Sequence, residues 1–377
     1  MAFTGFATYD DQNTIQSDIV DRISVVVPQF KILSTFDMSP YPAENTVHYW
    51  NQEKLSPGTI IASTEIASAT AATGFQINGV GARLQAGDLL EFVGADSIVY
   101  NEQLQITSVA GANSILCSRG VGSVGPSSLA AGGTLTLIGN AALEGGDYDS
   151  DDISRNSSQK ENTVQIFAKP IRVSDTQRNV SHYGIPDMIE HQKQNRLNEN
   201  LRDFEYAFIR GVDSQTIGSN SAYRRMGGLW REITTNVATF STISASNIDE
   251  YLIKPCIEAD FEDLDVLLLD PDWSTELANE HDSRIQVTVQ ETTYGRRVKK
   301  YMSALLDREL DVVTSLRLMP KSAIVTSKQR AKMVNLQGAS FRYEDLAKTG
   351  RSTKGHVVGQ YTAEFWHEYG MSKAYSS

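Results

Sequence analysis

The chain has 377 residues, with 34 basic against 46 acidic side chains for a formal charge of −12, and is 40% hydrophobic and 21% charged. That length exceeds what one hydrophobic core usually supports, so two or three units, or one unit with a large insertion, are expected. The composition excludes disordered and fibrous classes, and the negative field argues against tight general binding of nucleic acid, which needs Lys and Arg to displace counterions.

Cys117 and Cys256 lie far apart, with no second Cys or His at metal-ligand spacing. Neither a zinc site nor a disulfide framework is suggested, and a reducing cytoplasm is the expected setting. The opening MAFTGFATYDDQNT lacks a basic stretch followed by an apolar one, and no window reaches about 18 consecutive apolar residues. A signal peptide and a membrane span are therefore not expected.

Residues 1–43 mix short apolar runs such as ISVVVPQFKIL with turn formers, which suits an extended arm with a short helix near residues 19–25. NTVHYW, residues 45–50, alternates as a strand should, with Val47 and Tyr49 on one face and His48 and Trp50 on the other. From residue 56 to 146 the composition turns to Gly, Ala, Ser, Thr and β-branched residues. The short runs GFQI, DLLEFV, QLQITSV, SILCSR and TLTLIG are divided by turn signals, which predicts a small all-β insertion.

An acidic linker, residues 147–161, begins with DYDSDDIS. Strand character then returns in TVQIFAKPIRVSD, so residues 44–55 and 162–175 are expected to pair as one long two-stranded ribbon carrying the insertion at its tip. The next segment places Leu197, Leu201, Phe204 and Phe208 at steps of 4, 3 and 4, a narrow apolar stripe on a helix expected over residues 186–210. At 1.5 Å per residue that helix is a rod of roughly 37 Å. Residues 246–340 mix helical and strand segments, with DVLLLD reading as a buried strand, and predict an α/β lobe. The stretch HVVGQYTAEFWHEYGMSKAYS alternates again and is expected to rejoin a sheet of the first lobe.

This order of parts, and most specifically ENTVQIFAKPIRVSDTQRNV with DFEYAFIRG and LAKTGRSTKGHVVGQYTAEFW, resembles the major capsid proteins of tailed bacteriophages with the Hong Kong 97-like fold. The resemblance implies an α+β chain with an N-terminal arm (1–43), an E-loop (44–55 and 162–175), a P-domain (176–245 and 341–377) containing the spine helix, and an A-domain (246–340). It implies a major capsid protein that self-assembles into pentamers and hexamers of an icosahedral or prolate shell around double-stranded DNA. Portal, scaffolding and decoration proteins are the implied partners, with the virion as location and the host cytoplasm as the place of assembly. Arm and E-loop would lie over neighbouring subunits. Lys54 and Lys169 sit in the implied E-loop without an assignable partner.

No catalytic, cofactor-binding or metal-ligating residue is assigned. GVGSVG, residues 120–125, has the spacing of a dinucleotide fingerprint but is followed by PSSLAAGG instead of a helix, and reads as a β-turn. Asp147, Asp149 and Asp151 alternate like the start of a calcium loop, yet Asp152 stands where the turn needs Gly and Ser158 where a bidentate Glu belongs. A solvated linker is favoured, with weak divalent binding between subunits as the alternative. His182, His191 and His281 lie near carboxylates in sequence but in no nucleophile or zinc motif, so surface or core histidines are expected. Arg296, Arg297, Lys299 and Lys300 concentrate positive charge in YGRRVKKY; a neighbour's acidic patch, packaged DNA and plain solvation are all compatible with it.

A lattice subunit of this charge is expected to assemble in a salt-dependent way, because screening beyond about 8 Å removes the long-range repulsion. Gly184 and Gly211, flanking the long helix, are candidate hinges for shell expansion. The rival classes are an encapsulin-like cargo shell, a tail or decoration protein, and an enzyme. The last has the poorest support because no nucleophile, base and orienting group can be named together.

Overall fold

The computed structural model describes residues 29–376, apart from 54–57, 67–72, 79–83, 93–101, 112, 123–124, 142–143, 146–156, 181–184, 186, 214–222, 281–299, 307 and 349. The short helix expected near residues 19–25, the acidic run at 147–152, His182, His281, Gly184, Lys54 and the basic residues 296–299 lie outside the described residues.

Alternation in NTVHYW does produce a strand. Val47–Gln52 pairs antiparallel with Ser158–Thr163, from Val47 opposite Thr163 to Gln52 opposite Ser158. Residues 158–161, expected in the acidic linker, are therefore one half of a ribbon. The faces do not divide as the alternation suggests: Val47 and Trp50 are buried and Tyr49 is exposed. Two-stranded ribbons twist strongly, so the side that meets the rest of the chain changes along their length.

The long ribbon expected from residues 162–175 does not form as one piece. At Val164 the chain changes partner, and Gln165–Ser174 pairs antiparallel with Ser352–Phe365 from Gln165 opposite Tyr361 to Ser174 opposite Ser352. Ser352–Phe365 carries Ala331–Asn335 and Arg342–Leu346 on its opposite edge, making a four-stranded sheet. Alternation continues through both halves, so it marks the strand but not the switch. The switch is fixed by Val164, wholly buried with Ala43 and Val334, while its N–H still donates to Thr46 O at the ribbon's base.

Across this sheet lies the long helix Met188–Arg210. It opens at Asp187, whose side chain accepts from the N–H groups of Ile189 and Glu190, and its last turn carries Arg210, favourable at the negative end of the helix dipole. Phe204 meets Phe167 edge-on at 5.6 Å and Tyr361 at 4.9 Å, and Phe208 meets Phe365 at 5.6 Å and Phe36 at 5.3 Å. Each buried Phe contributes about 1.5–3 kcal/mol of transfer free energy. The buried positions are Asn200, Phe204, Glu205, Phe208 and Ile209, whereas Leu197 remains 37% exposed. The expected stripe is thus correct in its second half only, and two polar residues enter the buried face in place of Leu197 and Leu201.

The α/β lobe is a six-stranded sheet in the order Val237–Thr239, Ser372–Tyr375, Ser322–Thr326, Val266–Leu269, Glu309–Thr314, Lys300–Met302. Val266–Leu269 is buried at every position, as a central strand covered on both faces requires. Helix Pro271–Glu280 covers one face through Trp273 and Leu277. Helical residues 245–258 widen into a π-helical turn at Ile248–Ile253 just before Pro255, which has no N–H to continue an α-helical ladder.

Three expectations are corrected here. Ser372–Tyr375 joins the α/β sheet instead of the first lobe, between Val237–Thr239 and Ser322–Thr326. Ala331–Asn335, expected within the α/β lobe, pairs with Ser352–Phe365. The division between lobes is therefore crossed by strands from outside residues 246–340, because pairing follows a strand's neighbours in space. Residues 29–43, expected within an extended arm lying over neighbouring subunits, dock on their own chain: Ile32 and Phe36 enter the main core, and bridges join Met38 to Met333 and Ala43 to Leu336.

Between the two ribbon strands, residues 58–140 form a six-stranded antiparallel sheet in the order Thr59–Ile61, Thr134–Asn140, Asp88–Phe92, Glu102–Gly111, Ser114–Ser118, Thr73–Gln76. It has its own apolar cluster, including Leu90, Phe92, Leu104 and Ile106. Beside that cluster the fully buried Arg119 donates to both oxygens of the fully buried Glu102, at 2.6 and 2.7 Å. Glu102 also accepts from Ser127 N and Gly120 N. The described residues of GVGSVG, 120–122 and 125, follow the strand Ser114–Ser118, with Gly120 at φ 60° and Gly122 at φ 111°, the left-handed region that glycine tolerates.

Candidate assembly interface

The residues singled out for chemistry are dispersed. His48 contacts Glu364 at 2.6 Å, His191 contacts Asn195 at 3.2 Å, and His356 contacts Glu344 at 3.1 Å. Among the described residues no three His, Cys, Asp or Glu side chains group to hold a metal ion. Cys117 and Cys256 are buried free thiols, and burial pushes them up to about 12 and about 11, so neither presents a thiolate. Of the basic run, Lys300 is described, at 2.5 Å from Glu309. Lys169 is paired with Asp203 of the long helix at 2.6 Å. Among the described residues no helix is long and apolar enough to cross a membrane.

What the molecule offers instead is extended contact surface. The ribbon is held at its base by Asn162, whose amide donates to Gly227 O at 3.1 Å and Ala363 O at 2.9 Å while its carbonyl accepts from Gly227 N. Trp50 packs near Trp366, and Gln52 accepts from His367 N. A cavity of about 420 Å³ remains beside the ribbon, lined in part by Tyr49, Asn162, Asp213, Arg231 and Glu232. Tyr49 faces solvent there, a large side chain without a cover in the single chain.

The rest of the exposed apolar surface is spread over several elements. Tyr41 is 76% exposed and Leu316 is 73% exposed. Arg317 stacks on Tyr206 at 4.7 Å, and Met302 stands out on the edge strand Lys300–Met302. Open strand edges can accept a further strand, whereas large apolar side chains scattered singly are ordinary at a protein surface.

One anchor fixes how these surfaces sit relative to one another. Glu205, buried near the C-terminal end of the long helix, accepts from the N–H groups of Ile32 at 3.1 Å and Leu33 at 3.4 Å, and from Arg317 Nε at 3.2 Å. A single carboxylate therefore ties together residues 29–36, the helix and the loop that precedes Ser322–Thr326. Sequence reasoning missed it because a Glu on a charged helix reads as solvated. The one available signal was its position, one residue after Phe204 and three before Phe208.

Gly211, the described one of the two candidate hinges, lies in close-packed backbone. It caps the helix at φ −51°, and a Cβ there would overlap the carbonyl oxygens of Ala207 and Met226. Its role is close approach: Gly228 N donates to Gly211 O at 3.1 Å, and Gly228 has no room for a side chain either.

Over residues 3–374 the chain matches the family described as SU10 major capsid protein. The chain belongs to this family. Solved structures with the same fold include the holo-SrpI encapsulin complex of Synechococcus elongatus PCC 7942, at 9% identity and a TM-score of 0.51 over 99% of this chain and 96% of that one. Another, from Microbacterium phage Oxtober96, matches at 10% identity and a TM-score of 0.51 over 98% of this chain and 99% of that one. Gordonia phage Cozz gives 10% identity and a TM-score of 0.49 over 100% and 97%. Among curated proteins no sequence matches the chain. The fold of this capsid protein is α+β and Hong Kong 97-like, and its function is that of a major capsid protein, a structural component of a phage shell.

Proposed function

We propose that copies of this capsid protein associate as pentamers and hexamers and close into an icosahedral or prolate shell around the double-stranded DNA of a tailed phage. The observation that carries this reading is the family match over residues 3–374, joined to a fold whose ribbon and open strand edges can accept neighbours. In this reading residues 44–53 and 158–163 correspond to the E-loop, with the small β unit at its tip, Gln165–Ser174 carries the chain from it into the P-domain, and Met188–Arg210 is the spine helix. The six-stranded mixed sheet is the A-domain and the four-stranded sheet the core of the P-domain. Portal, scaffolding and decoration proteins are its partners, and assembly takes place in the host cytoplasm before the shell becomes part of the virion.

The mechanism is additive. Each copy makes several modest contacts, and simultaneous engagement in a closed lattice makes the particle more durable than any pair. A charge of −12 per copy opposes assembly at low ionic strength and keeps the inner wall from gripping DNA. No enzymatic step is part of this function.

The test is negative-stain electron microscopy of purified protein over a range of salt concentrations, with size-exclusion chromatography alongside. Closed shells, or uniform rings of five and six, favoured by salt, are expected. A monomer at every salt concentration would overturn self-sufficient assembly, and purified particles filled with a protein cargo instead of DNA would replace the phage reading with an encapsulin-like one.

A further inference from the structure

Strand Gln165–Ser174 pairs on one edge only among the described residues, with Ser352–Phe365. Its second edge leaves backbone N–H and C=O groups available to another strand. At the far half of that strand, where it passes the first turns of the long helix, opens a cleft of about 630 Å³. Its lining includes Arg172, Arg196 and Arg351 together with Gln177, Gln192 and Met188, and no carboxylate among the described residues. Arg196 is already paired with Glu199 at 2.6 Å, and Arg172 donates to Ser352 Oγ at 3.3 Å. No described carboxylate pairs with Arg172 or Arg351.

We propose that this cleft binds the acidic run at residues 147–152 of a second copy of the chain. The inference rests on the shell reading, since a lattice is what brings a second copy into reach. DYDSDD places four carboxylates in six residues, a density that DFEDLD at residues 260–265 also reaches, but there Asp263 is already paired with Arg330. Arginine is the side chain best shaped to hold carboxylates, through paired N–H donors. An open strand edge adds backbone pairing that an extended peptide satisfies and a phosphate backbone does not. The overall charge of −12 further disfavours a polyphosphate occupant.

Chain geometry keeps Asp152, the member of the run nearest the ribbon, away from the cleft of its own copy. Asp152 is six residues from Ser158, a reach of at most about 21 Å. Ser158–Thr163 and Gln165–Ser174 follow each other with only Val164 between them, too few residues for a hairpin. A straight continuation puts Ser158 about 46 Å from Arg172, and a right-angle bend at Val164 leaves about 33 Å.

The probe is a fluorescent peptide of residues 144–157, EGGDYDSDDISRNS, titrated into full-length protein at low salt and read by anisotropy. Its counterpart carries Lys at positions 147, 149, 151 and 152. Wild type is expected to bind the native peptide and release it as salt rises. The double variant Arg172→Glu, Arg351→Glu is expected to lose at least tenfold in affinity and to bind the Lys-bearing peptide instead, a gain that also shows it is folded. Arg172→Lys with Arg351→Lys should retain binding. Failure of wild type to bind the native peptide, or binding unmoved by the charge reversal, overturns the proposal. Displacement of the peptide by a short DNA duplex reassigns the cleft to phosphate and overturns it as well. Microscopy of the same samples separates the two readings: shells without peptide binding refute the cleft alone, whereas peptide binding without shells at any salt concentration refutes the shell.

Discussion

His48 Nε2 lies 2.6 Å from Glu364 Oε1, so the ribbon is latched to the longest strand of the molecule through one carboxylate. Trp366 Nε1 and Ser39 Oγ donate to the same group at 3.1 and 3.4 Å. Burial alone would push the Glu364 carboxyl up, but the hydrogen bonds from His48, Trp366 and Ser39 outweigh it and hold it below the ordinary value of 4.5.

That balance sets an acid limit. A carboxyl with a depressed folded value contributes stability that is fully present above its unfolded value and lost as pH falls through the folded one. Glu368, which accepts from Thr234 N, Thr234 Oγ1 and Thr235 N, is lowered in the same net direction against its own burial. Stability should therefore decline as pH drops below about 4.5, when followed by thermal melts at successive pH values. Glu364→Gln should flatten part of that decline and make the ribbon more sensitive to protease near neutral pH. A melt curve for Glu364→Gln parallel to wild type across the acid range would refute the latch.

Glu205 should behave as a structural pin. Glu205→Ala removes the acceptor for Ile32 N, Leu33 N and Arg317 Nε, at a cost of about 2–4 kcal/mol. Hydrogen exchange should rise first in residues 30–36. Unchanged protection there would show that Phe36 against Phe208 suffices to hold the segment.

Gly211→Ala is expected to destabilise strongly, by about 2–4 kcal/mol, because the new methyl overlaps backbone that cannot move without separating the helix end from Gly228. Gly111→Ala, where a methyl meets nothing, is the control and should shift the melting temperature little. Equal effects of the two substitutions would contradict the close-packing role.

Arg119→Met would strand a buried Glu102 carboxylate inside the small β unit, with a loss of about 3–5 kcal/mol. The double change Arg119→Met, Glu102→Leu should recover much of it. Calorimetry would check both. A single variant as stable as wild type would mean that Ser127 N and Gly120 N alone satisfy the carboxylate.

Much of the architecture was legible because burial and periodicity agree. VLLL became a central strand, and the Phe204 and Phe208 positions landed against the sheet. Alternation also marked GHVVGQYTAEF and SKAY as strands, but it names no partner. The change of partner at Val164 and the entry of Ser372–Tyr375 into the other sheet were therefore unreadable. Glu205 and Glu364 escaped notice for a related reason: a carboxylate reads as solvated until the donors that satisfy it are brought from more than a hundred residues away. The cleft was hidden likewise, since residues 172, 196 and 351 carry no common motif and meet only through the fold.

The position of Ser372–Tyr375 has a consequence in time. It fills the place between Val237–Thr239 and Ser322–Thr326, strands synthesised well before it. During translation the sheet carries an open slot, with backbone groups on both sides awaiting a partner, until residue 375 has cleared the ribosome. A nascent chain that stops short of residue 372 therefore presents Val237–Thr239 and Ser322–Thr326 as two unpaired edges in place of one continuous sheet.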